Sequence, residues 1–427
     1  MFTLRNFRIL ILTIGILESS VTSETTTNDE MKLFEARSPR RGGLFHICGS
    51  NAYADEGSSS CMSRSKCVSQ GGKVKGFCNI YEVCCETKVD CNSIIKEKRV
   101  VIKSAALEKI PSSCSYRIQR FSTQVCQVLI EFKTLELQPP ILDATQSSLE
   151  CEDHVVIGDF MLCGENSGQH LYVPYDGSKD DTELIIKFAL PNKWSQSQWH
   201  LIVTQLQCPR TNENKKRSPS YMPFINSNNL ENLRTMFTIP YNSNSKNTLD
   251  DIDLLAPLGC NQYFTQSEGQ IKSFNYKSDG SGYYLSKMNY VICIKPVKAA
   301  NMIQYQVEKF SLSKQNTEEP GFDNNCHSYN QVNGDDRRED YLMIPQSSLT
   351  ANGTIIMATH YCGQSLVKGS SVIASPPYVL YFSSDGHSNE VESAITTITT
   401  ANAATGNYNN NRKKSFKIMM LLTDQQL

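Results

Sequence analysis

The sequence predicts an all-β protein, two antiparallel β-sandwiches preceded by a small disulfide-stapled module. Three observations point there. Apolar residues alternate at period two in short stretches bounded by turn residues, while helical periodicity is weak throughout. The strand pattern occurs twice along the chain. The 16 cysteines of the 427 residues fall into three blocks of six, six and four, and three self-contained disulfide units explain that parity.

Taken in order, residues 1–23 read as a signal peptide. Arg5 and Arg8 supply a positive leader, Ile9 to Leu17 an apolar run, and Val21-Thr22-Ser23 a cleavage pattern. A run of nine residues is too short to span a bilayer, which takes about 20. No later stretch is longer, since Met419–Leu422 runs straight into polar Thr423-Asp424-Gln425-Gln426, so no membrane span is expected. The expected compartment is extracellular, where cysteines pair. Residues 24–44 are polar and basic-ended and read as a disordered tail, and residues 45–86 hold the dense block Cys48 to Cys85. Residues 91–208 form the first larger region. Residues 209–256 lack cysteine and are rich in Asn, Ser, Lys and Arg, which reads as a linker. Residues 257–427 form the last region, with 386–413 as an inserted loop rich in Thr and Asn. Lys+Arg at 42 against Asp+Glu at 43 leaves a net charge of -1, so the chain as a whole has no drive toward nucleic acid or anionic lipid.

The two larger regions repeat each other. Val128-x-Ile130-x-Phe132-x-x-Leu135-x-Leu137 alternates with one slip, and Ile303-x-Tyr305-x-Val307-x-x-Phe310-x-Leu312 slips at the same place, as a bulge or strand end would produce. Leu137 lies 14 residues before Cys151 and Leu312 lies 14 before Cys326, and each copy then reaches a Cys-Gly, Cys163-Gly164 or Cys362-Gly363. Leu184-x-Ile186-x-Phe188 answers Tyr378-x-Leu380-x-Phe382, and Trp199-x-Leu201-x-Val203 answers Phe416-x-Ile418.

In the second copy, Cys260, Gly269-x-Ile271-x-Ser273-Phe274-Asn275-Tyr276, Cys293-Ile294, Cys326 and Cys362-Gly363 resemble the CUB domain. The resemblance implies CUB-like sandwiches of jelly-roll type, bridged Cys260–Cys293 and Cys326–Cys362. In the first copy it implies Cys91–Cys114 and Cys151–Cys163, although the Gly-x-Ile-x-Ser stretch is missing there. Cys126 and Cys208 remain, and pairing them would tie the central strand to the last. Residues 45–427 as a whole resemble secreted insect proteins with CUB domains. The first block, with Cys48, Cys61, Cys67, Cys78, Cys84 and Cys85 ending in an adjacent pair, resembles the clip-type modules of arthropod secreted proteins. That likeness implies Cys48–Cys84, Cys61–Cys78 and Cys67–Cys85, while the sequence alone allows about 15 pairings of six cysteines.

Candidate chemistry is sparse. Asp251-Ile252-Asp253-Leu254-Leu255 mimics the segment bearing the aspartate of trypsin-like proteases, but no Ala-Ala-His-Cys precedes it and no Gly-Asp-Ser-Gly-Gly follows. Gly164-Glu165-Asn166-Ser167-Gly168 only echoes the serine loop. The seven histidines (46, 154, 170, 200, 327, 360 and 387) lack metal-ligand spacing. Many CUB domains bind calcium through three acidic side chains. Here Gln138 and Ser313 stand at the first of those places, and His154 and Tyr329 at the second. Asp153 comes one residue early, Asp340 sits beyond an insertion, and Asp385 alone falls where an acid belongs. No catalytic residue, cofactor or metal is therefore expected. Asn352-Gly353-Thr354 is the single glycosylation sequon. Lys215-Lys216-Arg217 and the basic run at 37–41 are candidate cleavage points. The expected function is non-catalytic binding or adaptation, with an extracellular protein or glycan as partner and no nucleic acid. A gland-secreted salivary or venom effector, or a protease-cascade inhibitor, stays open as the alternative.

Overall fold

A computed structural model describes residues 57–69, 72–78, 80–105, 110–143, 148–175, 183–208, 249–277, 282–297, 301–314, 320–326, 329–332, 335–351, 353–385 and 415–423. The leader, the tail, Cys48, residues 209–248 of the expected linker, Asn352 and the inserted loop lie outside them.

The fold is almost wholly β, in two sandwiches. In the first, a sheet ordered His170–Pro174, Val125–Glu136, Gln198–Gln207 and Arg99–Lys103 faces one ordered Phe160–Leu162, His154–Ile157, Glu183–Ala189, Ser113–Gln119 and Ile94–Ile95. In the second, the six-stranded sheet runs Glu268–Lys272, Ser415–Thr423, Met302–Ser311, Ser371–Ala374, Ser347–Ala351 and Thr354–Met357. Opposite it lie Gln262–Phe264, Asn289–Ile294, Val379–Ser383, Tyr341–Met343 and His360–Tyr361.

The periodic strands become the two cores. Val128, Ile130 and Phe132 are buried along the central strand of the first sandwich, as are Ile303, Tyr305 and Val307 in the second. At the slip, the register against the last strand shifts between His200 and Leu201 in one copy and between Val307 and Lys309 in the other. The extra residue rephases the alternation, so Leu135 and Phe310 still point inward. One aromatic pair closes both cores. The Phe188 ring stacks on Trp199 with centroids 4.0 Å apart, and Phe382 meets Phe416 at 5.3 Å.

The sheets are not purely antiparallel. Ile94–Ile95 pairs parallel with Ser113–Gln119, and Gln262–Phe264 pairs parallel with Asn289–Ile294. Each parallel pair lies just past a bridge, Cys91–Cys114 in one copy and Cys260–Cys293 in the other, which ties the entering chain alongside an interior strand.

The other bridges are Cys61–Cys78, Cys67–Cys85, Cys126–Cys208, Cys151–Cys163 and Cys326–Cys362. Cys84 is also disulfide-bonded. All seven described pairs close within one cysteine block, but the sheets do not respect those blocks. Gly57–Met62 pairs with Arg99–Lys103, so Gly57–Met62, Val83–Thr87 and Lys73–Phe77 extend the first sandwich's sheet to seven strands. A unit this small buries too little apolar surface to stand alone, and an existing sheet edge completes it.

Candidate binding surface

A buried seam between the sandwiches sets how their loops are presented. Residues 249–256, expected to be linker, dock on the first sandwich instead. Asp251 is buried in the short helix Leu249–Ile252, where one oxygen pairs with Lys98 Nζ at 2.7 Å and the other accepts the Gln207 N–H at 3.1 Å. It is thus a structural carboxylate. Gln127 holds Ala256 twice, donating to its carbonyl at 2.7 Å and accepting its N–H at 3.1 Å. Leu255, Ala256 and Tyr263 then bury against Leu129, Tyr172 and Leu206 on the outer face of the first sheet. Composition marked this segment as linker, yet its last residues, Leu254-Leu255-Ala256, are apolar enough to cover a sheet face.

Gly164 and Asn275 bring the two sequence motifs together. Gly164, from the first copy's Cys-Gly, has φ +71 and faces the Asn275 side chain so closely that a Cβ would collide with Oδ1. That Oδ1 accepts the Glu165 N–H at 3.0 Å, while the Asn275 N–H donates to Asn166 Oδ1 at 2.8 Å. Phe160 packs edge-on against Phe274 beside them. The serine-loop echo is a turn in this seam, and Ser167 Oγ accepts the Leu135 N–H at 3.1 Å. His170 is buried between the rings of Tyr172 and Phe264, and its Nε2 accepts the Tyr263 N–H at 2.9 Å. Burial lowers its pKa to about 4, so it is held neutral.

Each sandwich gathers polar groups at one loop end. In the first, Asp153 is buried and takes the backbone N–H groups of Asn192 and Trp194 on its two oxygens, at 2.9 and 2.8 Å. Gln138 joins Glu152 and Asn192 there. His154 stays local, with Nδ1 against the Cys151 and Glu152 carbonyls. In the second, the structure brings Asp340 to Asp385. The Asp385 N–H donates to Asp340 Oδ1 at 2.7 Å, the Tyr284 hydroxyl donates to Oδ2, and the Ser313 N–H donates to the Tyr284 oxygen at 2.9 Å. Burial first, and then Asp340, hold the Tyr284 phenol well above its ordinary pKa. The insertion that displaces Asp340 in sequence contains the hairpin Tyr329–Val332/Asp335–Arg338, after which Tyr341 pairs with Ser383, two residues before Asp385. Reading spacing alone missed this.

These groups do not fit calcium, which takes about six to eight oxygens. Both oxygens of Asp340 and of Asp153 already accept protein N–H or O–H donors, and Ser313 stands where a glutamate would reach. Among the described residues, no three His, Cys, Asp or Glu side chains are grouped to hold a metal ion. His360 lies 3.8 Å from Asp323, which also takes the Thr359 and His360 N–H groups. That carboxylate sits below its ordinary pKa, because these hydrogen bonds and the nearby His360 outweigh the partial burial that opposes them.

The fold and its bridges define a disulfide-braced protein of two β-sandwiches, and the second of these matches a known family. Residues 257–418 match the family model of the animal CUB domain. A search of curated proteins finds no match. Among solved structures, the CUB1-EGF-CUB2 domains of rat MASP-1 match at 13% identity and a TM-score of 0.21, covering 77% of this chain and 99% of that one. The human MASP-1/3 CUB1-EGF-CUB2 domain matches at 14% identity and 0.20, covering 77% and 100%. The extracellular region of zebrafish Gpr126/Adgrg6 matches at 12% and 0.22, covering 79% and 34%. CUB domains are typically extracellular, protein-binding and non-catalytic modules. Among the described residues, no helix is long and apolar enough to cross a membrane.

Proposed function

We propose that the chain is a secreted, non-catalytic binding protein of the kind insects secrete, which recognises an extracellular protein or glycan through its second sandwich. The observation that carries this is the CUB match over residues 257–418, laid on a sandwich whose loop end presents Asp385 beside the buried Asp340. Asp385, part-exposed at the end of a rigid scaffold, suits a basic site on a partner, because the scaffold has already met the ordering cost. The leader at 1–23 directs secretion in this reading, and a glycan on Asn352 lies next to exposed Gly353 and Thr354. Cys48 pairs with Cys84, completing the clip-like set.

The test uses the full-length protein as bait, cross-linked in extracellular fluid from its own source. The expected result is a recovered protein or glycoprotein that Asp385→Lys releases. Recovery of no partner, or covalent labelling of the protein by a serine-hydrolase probe, contradicts the reading. For the sequon, glycosidase treatment is expected to lower the mass of the wild-type protein and leave Asn352→Gln unchanged.

A further inference from the structure

We infer that the edge strand Thr354–Met357 of the second sandwich is a self-association site, at which a second copy of this chain adds its own Thr354–Met357. This strand closes the six-stranded sheet, and among the described residues nothing pairs with its far side. Its register against Ser347–Ala351, from Ala351↔Thr354 to Ser348↔Met357, runs without a shift. A strand edge is a template for another strand, and natural edges are blunted by charge, proline or a bulge. This edge has none of the three, since no charged residue and no proline occurs from Ser347 to Met357. Ile355 and Met357 are 72% and 74% exposed, the highest values among the described large apolar side chains of the second sandwich.

The edge is complementary to itself. Ala351↔Thr354 closes a two-residue loop, so these flanking residues exchange main-chain hydrogen bonds and the ladder alternates from there. Leu349↔Ile356 is then a bonded pair, and the N–H and C=O groups of Ile355 and Met357 aim away from the hairpin. A two-fold axis at Ile356 sets Ile355 of each copy opposite Met357 of the other. Every outward N–H and C=O of both strands then finds a partner. The same axis gathers both copies of Ile355 and Met357 on one face and sets Ile356 against Ile356 on the other, with no charge to bury. That match selects a second copy as the occupant, because an uncharged edge offers a charged partner nothing to complement. Growth stops at two. The opposite edge of the sheet, Glu268–Lys272, carries a charge at each end, so the pairing closes as a dimer and does not propagate. Asn352 precedes the paired residues, and the antiparallel register sends the two sequons to opposite ends of the dimer. Strands of 4 residues bury far less than the about 800 Å² per partner of a standard interface, so the dimer belongs to the transient, concentration-dependent class.

The experiment is sedimentation velocity of the full-length protein over a dilution series from micromolar to near-millimolar. The expected result is a mass that rises reversibly from monomer toward dimer and no further. Ile355→Lys/Met357→Lys, which sets lysine opposite lysine, is expected to weaken association about ten-fold or more. Both positions are exposed, so an unchanged melting curve certifies that the variant is folded. The register is read by cross-linking. Residues opposite each other in a bonded pair lie about 5.5 Å apart at Cα, within disulfide reach. A mixture of Ile355→Cys and Met357→Cys chains is therefore expected to link on mild oxidation faster than either variant alone. A wild type that stays monomeric throughout overturns the inference. So does wild-type association by the lysine variant, or equal linkage in the mixed and single cysteine samples. A monomer that instead captures a different extracellular protein, released by the lysines, assigns the edge to that partner and equally overturns it.

Discussion

His170 shows how one buried group sets a pH limit. Its folded-state pKa of about 4 lies below the ordinary 6.5, so the unfolded chain takes up a proton first as pH falls. The contribution is complete above about pH 6.5, is lost progressively down to about 4, and amounts to something on the order of 3 kcal/mol. Melting temperature is expected to fall across that window, and His170→Gln to flatten the fall; an unchanged slope would contradict the assignment. Gly164→Ala meets both a left-handed φ and the Asn275 side chain, and is expected to destabilise by more than about 1 kcal/mol in denaturant titration. Tyr305 is buried in the second core, and its hydroxyl finds no hydrogen-bond partner among the described residues. Tyr305→Phe is therefore expected to raise stability by about 1 kcal/mol.

At the scale of elements, much was legible in the sequence. The one-residue slip in each central strand marks a bulge, and matched positions 188/199 and 382/416 hold the same aromatic pair across each core. Alternation reports which face is buried, and that is a local property. The parallel pairs were illegible, because nothing in a short strand's own pattern fixes the direction of its neighbour. The Asp340–Asp385 approach was hidden by a hairpin insertion, since counting residues assumes that the chain advances steadily. The bridges rank by loop length. Cys126–Cys208 closes 82 residues and Cys151–Cys163 closes 12. On the chain-entropy account these are worth about 4.5 and about 3 kcal/mol, so Cys126→Ala/Cys208→Ala is expected to lower the melting temperature further than Cys151→Ala/Cys163→Ala.

At the scale of the whole molecule, covalent and non-covalent organisation differ. Every described bridge stays within its block, and parity of cysteine counts could report that much. The sheet that runs from the small module into the first sandwich, and the seam from Asp251 to Asn275, were not legible, because both depend on surfaces that meet only after folding. The polar average over 209–256 masks the apolar Leu254-Leu255-Ala256 at its end, and nothing in the sequence names Lys98 and Gln127 as the anchors of that end. The consequence is a fixed relation between two loop ends, which is what a scaffold for recognition needs. Scanning calorimetry of the full-length protein tests this most directly, alongside a seam variant, Asn275→Ala. A single transition for both sandwiches that moves down as one in the variant is the expected result, whereas two separate transitions, with only the second affected, would contradict the account.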